Sequence, residues 1–144
     1  METIIQKFIT DQQLFQKEDR LLLAVSGGMD SMVMAQLLHK MGYSIALVHC
    51  NFQLRGEASD ADQQLVVMWG SARQLTVHVK VFDTKAFSKK NKLSTQMAAR
   101  DLRYAYFTEL LENNSYDYLL TAHHLDDRLE TFWLNFSRGT GVKG

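Results

Sequence analysis

The chain has 144 residues, 46% of them hydrophobic, which suits one compact domain that buries roughly 70% of its unfolded surface. Lys plus Arg equals Asp plus Glu at 16 each, so no overall basic excess marks the chain for nucleic acid, and any RNA contact has to come from local patches. The single cysteine, Cys50, excludes an internal disulfide and a cysteine-only metal cluster. No apolar run approaches the roughly 20 residues needed to cross a bilayer, so no membrane partner is expected and the expected location is cytoplasmic.

Thr3 to Lys17 carries Ile4, Ile5, Phe8, Ile9 and, further on, Phe15 at helical spacing and predicts an amphipathic helix. Glu2, Gln6 and Lys7 break this segment too often for a signal peptide. Leu21 to Val25 is a continuous apolar run without alternation, as a parallel strand buried on both faces requires. Ser26, Gly27 and Gly28 follow as a turn, and from Asp30 onward Val33, Met34, Leu37, Leu38 and Met41 recur at helical spacing up to Gly42. A glycine turn between a strand end and a helix start aims free backbone N–H groups and the positive helix end at one point, which suits a phosphate or pyrophosphate. Ser26 and Ser31 can donate to phosphate oxygens, whereas Asp30 would repel them unless a metal ion lies between. A lone Gly-Gly in this position is otherwise just a tight loop. The stretch is neither GxxxxGK[ST] nor GxGxxG.

Ser44 to His49 reads as a second strand and Asn51 to Ser59 as a polar, irregular loop. Ala61, Leu65, Met68, Trp69 and Ala72 mark a helix opened by Ser59 or Asp60. Thr76 to Phe82 is the third strand. Asp83 to Lys92 is the most basic segment, with Lys85, Lys89, Lys90 and Lys92, and reads as a solvated loop or short helix or, alternatively, a phosphate-tracking patch. Ser94 caps a long helix to about Asn113, Asp117 to Thr121 is the fourth strand, and Asp126 to Ser137 is expected as the last helix. Strands alternating with helices predict an α/β fold with a doubly wound parallel sheet and right-handed crossovers, four strands being read from the residues. Ligands in such sheets bind beyond the carboxyl ends of the strands, which puts Ser26–Ser31, His49–Arg55 and Ala122–Asp127 on one rim. Arg138 to Gly144 (RGTGVKG) reads as a chain cut inside a loop.

Thr121 to Asp127 (TAHHLDD) packs two imidazoles and two carboxylates just past a strand. Adjacent histidines rarely converge on one zinc ion, so a magnesium role for a carboxylate fits better, with Asp30 on the same rim. On the long helix Arg100 and Arg103 stand at i and i+3 with Tyr104, Phe107 and Leu111 on one stripe. The two arginines can converge on an anion or pair with Asp101 and Glu109, and the residues alone leave this open.

SGGMDS resembles the SGGxDS motif of the ATP-pyrophosphatases, the PP-loop family, which split ATP into AMP and pyrophosphate while adenylating a substrate oxygen. HCNFQLRGEASDAD, MAARDLRYAYF, TAHHLDDRLETF and RGTG follow in order, and the series resembles the successive motifs of the tRNA(Ile)-lysidine synthetases from about Leu21 to the last residue. The resemblance implies a PP-loop ATP-pyrophosphatase fold, with residues 1–144 as an N-terminal ATP-binding catalytic domain truncated at its C-terminal end. A fifth strand of the sheet is expected from the family or from the truncated remainder. It implies ATP and Mg²⁺ as cofactors, with tRNA(Ile) bearing a CAU anticodon and L-lysine as partners. In this reaction the wobble cytidine is adenylated at its ring oxygen, and the lysine ε-amine then displaces AMP. Carried over by position, Ser26, Gly27, Gly28, Met29, Asp30 and Ser31 hold the phosphates, and Asp30 also holds magnesium. Arg100 reaches the phosphates, while His123, His124, Asp126 and Asp127 form the ATP, base and lysine end of the site. Phe52 departs from the family pattern, which more often has histidine there, so any role for that histidine is lost or moved. Another PP-loop enzyme (a tRNA thiolase or amide ligase) and a non-catalytic nucleotide-binding module are the alternatives. A homodimer is compatible with the chain.

Overall fold

Leu21, Leu22 and Leu23 are fully buried because their strand is the centre of the sheet, covered on both faces. In this computed structural model, which describes residues 2–11, 14–124 and 133–138, the elements are α1 (Glu2–Asp11), β1 (Arg20–Ala24), α2 (Met29–Lys40), β2 (Ser44–Asn51), α3 (Glu57–Ala72), β3 (Val77–Val81), α4 (Thr84–Asn91), α5 (Thr95–Asn113), β4 (Tyr118–His124) and β5 (Trp133–Arg138). The strand order is β3-β2-β1-β4-β5, with β1, β2, β3 and β4 mutually parallel and β5 antiparallel to β4. The doubly wound parallel α/β sheet expected from the sequence is present.

Each buried strand feeds two cores, as its period of two demands. Leu21, Leu23, Ile45 and Leu47 pack with Met34, Ala35 and Leu38 of α2 and Val66 and Trp69 of α3. Leu22, Ala46 and Val48 face the other way, against Phe107, Leu110 and Leu111 of α5. The crossovers from β1 to β2 and from β2 to β3 run one way along the sheet, so right-handedness places α2 and α3 on one face. The return to β4 runs the opposite way and puts α5 on the other. Ser94 caps α5 as expected, its hydroxyl accepting from the Met97 amide at 3.1 Å.

Four boundaries differ from the sequence reading. The first helix ends at Asp11 rather than Lys17, since Leu14 and Phe15 are buried in the connection to β1, with Phe15 edge-on to Tyr43 at 5.2 Å. Helix α3 starts at Glu57, with Gly56 as its N-cap, rather than at Ser59 or Asp60. The Ser59 hydroxyl instead accepts from the Arg55 amide at 3.0 Å, and the Asp60 carboxylate accepts from Asn51. β4 runs on to His124, so His123 and His124 are strand residues. Where the end of a helix over Asp126 to Ser137 is expected there is a strand: Trp133–Arg138 is β5, with Tyr118 opposite Arg138 and Leu120 opposite Phe136. Pairing there satisfies the backbone groups that β4 would otherwise present as an open edge. Residues 126–132 lie outside the described residues. No helix among the described residues is long and apolar enough to cross a membrane.

Candidate functional site

The chain leaves β1 for β2 on one side and later returns to β4 on the other, so the strand order reverses at the carboxyl ends of β1 and β4. Such a switch point opens a crevice, and the glycine turn after β1 sits in it. Gly27 has φ +90°, and a Cβ there would lie 2.8 Å from the Asp62 Cβ of α3, so only glycine lets the turn seat against that helix. Asp62 is itself held by Arg55 at 3.2 Å.

The two serines shape the turn. Ser31 Oγ accepts from the Ser26 amide at 3.1 Å, donates to the Gly28 carbonyl at 3.1 Å and stands 3.2 Å from Ser26 Oγ. Ser26 Oγ accepts from the Gly28 amide at 3.1 Å. Gly28 is the N-cap of α2 and makes no side-chain cap bond, so the first-turn amides of α2 face the rim with the positive helix end behind them. The Met29 side chain is 80% exposed at the tip, which leaves its amide as its contribution to the turn. Asp30 is half-buried in the same first turn, and its carboxylate stands beside the glycine turn as the Arg55-paired Asp62 does.

His49 ties β2 to this turn. Its Nδ1 lies 2.7 Å from the Val25 carbonyl oxygen and must donate to it, and its buried Nε2 has no hydrogen-bond partner among the described residues. Beyond the turn lies a cavity of about 290 Å³. Ala24, Val25, Ser26 and Ser31 form one side, Val48, Cys50 and Phe52 of the β2 end another, and Thr121 and Ala122 of β4 a third. Arg103, Tyr104 and Phe107 of α5 close it. A larger hollow against α1 and Lys17 is remote from the rim and lacks such a convergence of strand ends.

Sequence-predicted residues and observed ones overlap in part. The turn Ser26–Ser31 and the end of β4 meet as expected. Arg100 is exposed and does not line the cavity, whereas Arg103, one turn further along α5, does. Both guanidinium groups lie over the Tyr104 ring, at 5.2 and 5.1 Å. Because α5 runs antiparallel to the strands, its N-terminal turns overhang the rim, and Arg100 stands beyond the cavity wall. His123 and His124 lie in β4, and Asp126 and Asp127 fall outside the described residues. No group of three or more metal-ligating side chains occurs among the described residues. Tyr104, Phe107, Thr121 and Cys50 were missed as lining residues. The available signals were the stripe on α5 and, for Thr121, a polar residue ending an apolar strand.

Cys50 is the one nucleophilic thiol, and burial pushes it up to about 12 against the weaker opposing pull of Arg103 and Lys80. It stays a neutral thiol at physiological pH and is no nucleophile.

A parallel sheet with a glycine turn and an uncapped helix at its switch point defines an α/β domain of the anion-cradling kind. The family comparison is more specific: residues 1–144 match the PP-loop domain, and the chain belongs to that family. Among curated proteins, it is 38% identical to the tRNA(Ile)-lysidine synthase of Bacteroides thetaiotaomicron, over 96% of this chain and 32% of that protein. The like-named proteins of Porphyromonas gingivalis (41% identical, 94% of this chain, 30% of that protein) and Petrotoga mobilis (42%, 99% and 47%) are similar. The chain thus spans between about a third and a half of the length of these relatives.

Proposed function

We propose that this domain binds ATP at the Ser26–Ser31 turn and serves a cytoplasmic tRNA(Ile)-lysidine ligase, residues 1–144 being its N-terminal catalytic part. The observation that carries the reading is the uncapped α2 terminus with two serine hydroxyls and a glycine that must lie against Asp62, all at the sheet's switch point. The names of the relatives supply the substrate class.

In this reading the amides of Gly27 and Met29 and the hydroxyl of Ser26 hold phosphate oxygens, while the Gly28 amide and the Ser31 hydroxyl, which donate to Ser26 Oγ and to the Gly28 carbonyl, keep the turn in shape for them. Asp30 is the proposed ligand for Mg²⁺, which would neutralise phosphate charge. Arg103 reaches the phosphates from the cavity wall, and Arg100 does so from the rim. His123, His124, Asp126 and Asp127 serve the acceptor base and the lysine. The net reaction joins the ε-nitrogen of lysine to the carbonyl carbon of the wobble cytosine of a CAU anticodon. The carbonyl oxygen leaves with AMP, and pyrophosphate is the other product. A cytosine carbonyl is a poor electrophile, so oxygen loss needs this activation. Charge growing on the departing pyrophosphate is what the fixed N–H groups and guanidinium stabilise. The neutral Cys50 agrees with a route that needs no covalent enzyme intermediate.

The test is transfer of labelled lysine into tRNA(Ile) by the natural protein that carries these residues, with AMP formed one for one. Sedimentation of the same protein tells a monomer from a homodimer. ATP binding without any lysine transfer or AMP release would leave a nucleotide-binding module instead.

A further inference from the structure

Phe52 follows β2 in the loop between two hollows and lines both, the 290 Å³ cavity beside the glycine turn and a smaller one of about 130 Å³ bounded by His49, Arg55 and Asp62. Its ring is half-buried and stacked on Phe82, with centroids 5.5 Å apart and planes 16° from parallel. Phe82 is buried and in turn meets Tyr106 edge-on at 6.2 Å. The Lys80 ammonium lies 5.6 Å from the Phe82 ring and 5.2 Å from that of Tyr106.

The backbone on either side of Phe52 is pinned. Asn51, buried, donates to Asp60 at 3.0 Å and to Gln63 at 2.8 Å, and accepts from the Gln53 amide at 3.0 Å. The Gln53 side chain donates to the Phe82 carbonyl at 2.9 Å, and the Phe82 amide donates to the Asn51 carbonyl at 2.8 Å. One ring face is therefore supported by a buried aromatic while the ring borders open space. A phenylalanine needed only for packing gains most by turning fully into the core. This one is held at the wall of a cavity instead, with its entropy cost already met by the loop.

We propose that Phe52 is a stacking surface for a nucleobase held beside the glycine turn. The inference rests on the nucleotide reading of that turn. Two bases have the required planar π-face, the adenine of ATP and the acceptor base of an RNA, and both recognise an aromatic wall by the same chemistry.

Phe52→Leu keeps apolar bulk and removes the π-face, while Phe52→Tyr keeps it. Calorimetry with the natural protein measures binding of ATP, inorganic tripolyphosphate and an anticodon stem-loop. Phe52→Leu is expected to weaken one base-bearing ligand about tenfold or more, leave tripolyphosphate unchanged, and be rescued by Phe52→Tyr. Loss for ATP assigns the adenine, and loss for the stem-loop alone assigns the acceptor base. Equal affinity of the Leu variant and the parent for both base-bearing ligands would overturn the proposal. So would a parallel loss for tripolyphosphate, which would make Phe52 a support of the turn. If the protein transfers no lysine yet the Leu variant still separates ATP from tripolyphosphate, the function assigned above fails and the stacking role stands.

Discussion

Replacing Gly27 by alanine is expected to cost the fold about 2–5 kcal/mol, because two separate penalties meet at that residue. A φ of +90° costs an L-residue with a Cβ roughly 1–2 kcal/mol. The new methyl would also stand 2.8 Å from Asp62 Cβ and 3.1 Å from Asp62 Cα, atoms no side-chain rotation can remove. Either the turn or α3 must shift, at roughly 1–3 kcal/mol. For a domain of this size the sum lowers the melting temperature by about 5–15 °C. Gly28 is the internal control. Its φ of −76° is ordinary, and a Cβ there meets only Ser26 Oγ, at 3.3 Å. Gly28→Ala should therefore cost under about 1 kcal/mol, as glycine-to-alanine changes at an N-cap do. It should still weaken ATP binding by displacing the hydroxyl that accepts from the Gly28 amide. Scanning calorimetry of both variants, with ATP titrations, reads the contrast. A Gly27→Ala melting temperature within about 2 °C of the parent, or an equal fall in Gly28→Ala, would refute the close-approach argument.

Arg103→Ala should weaken ATP by about 10- to 100-fold, the loss of a charge-assisted hydrogen bond, and adenosine much less. Arg100→Ala should do less, and the reverse order would return the phosphate role to the rim arginine. Asp30→Asn should abolish the Mg²⁺ dependence of ATP binding while the melting temperature holds, and an unaltered metal dependence would remove Asp30 from the site. Raised to about 12 from an ordinary 9.0, the Cys50 thiol loses its ionised fraction. Iodoacetamide at pH 8 should therefore modify the folded protein about a thousandfold more slowly than the unfolded chain. Equal rates would show a thiolate in the cavity.

The central part of the fold was legible because several signals agreed there. Leu21–Val25, the two glycines and the helical spacing after Asp30 all describe one strand, turn and helix, and Ser94 behaves as the cap its position implies. The stretch Trp133–Arg138 was not legible. Leu129, Phe132, Trp133 and Phe136 repeat at helical spacing, yet Trp133–Arg138 forms a strand because β4 needs a neighbour. Arg100 and Arg103 share a stripe, and one-dimensional periodicity cannot tell which turn of α5 ends over the cavity. That depends on where Phe107 seats against Leu22 and Val48. Phe52 was visible only as a departure from a pattern. Its stack on Phe82 joins residues on either side of β3, a contact no local signal encodes.

The most direct test of the central claim is exchange of labelled pyrophosphate into ATP by the natural protein, with tRNA(Ile) present and lysine withheld. Cleavage between the α- and β-phosphates at the Ser26–Ser31 turn requires tRNA-dependent exchange that Ser26→Ala or Ser31→Ala diminishes. Release of ADP and inorganic phosphate without exchange would contradict the account.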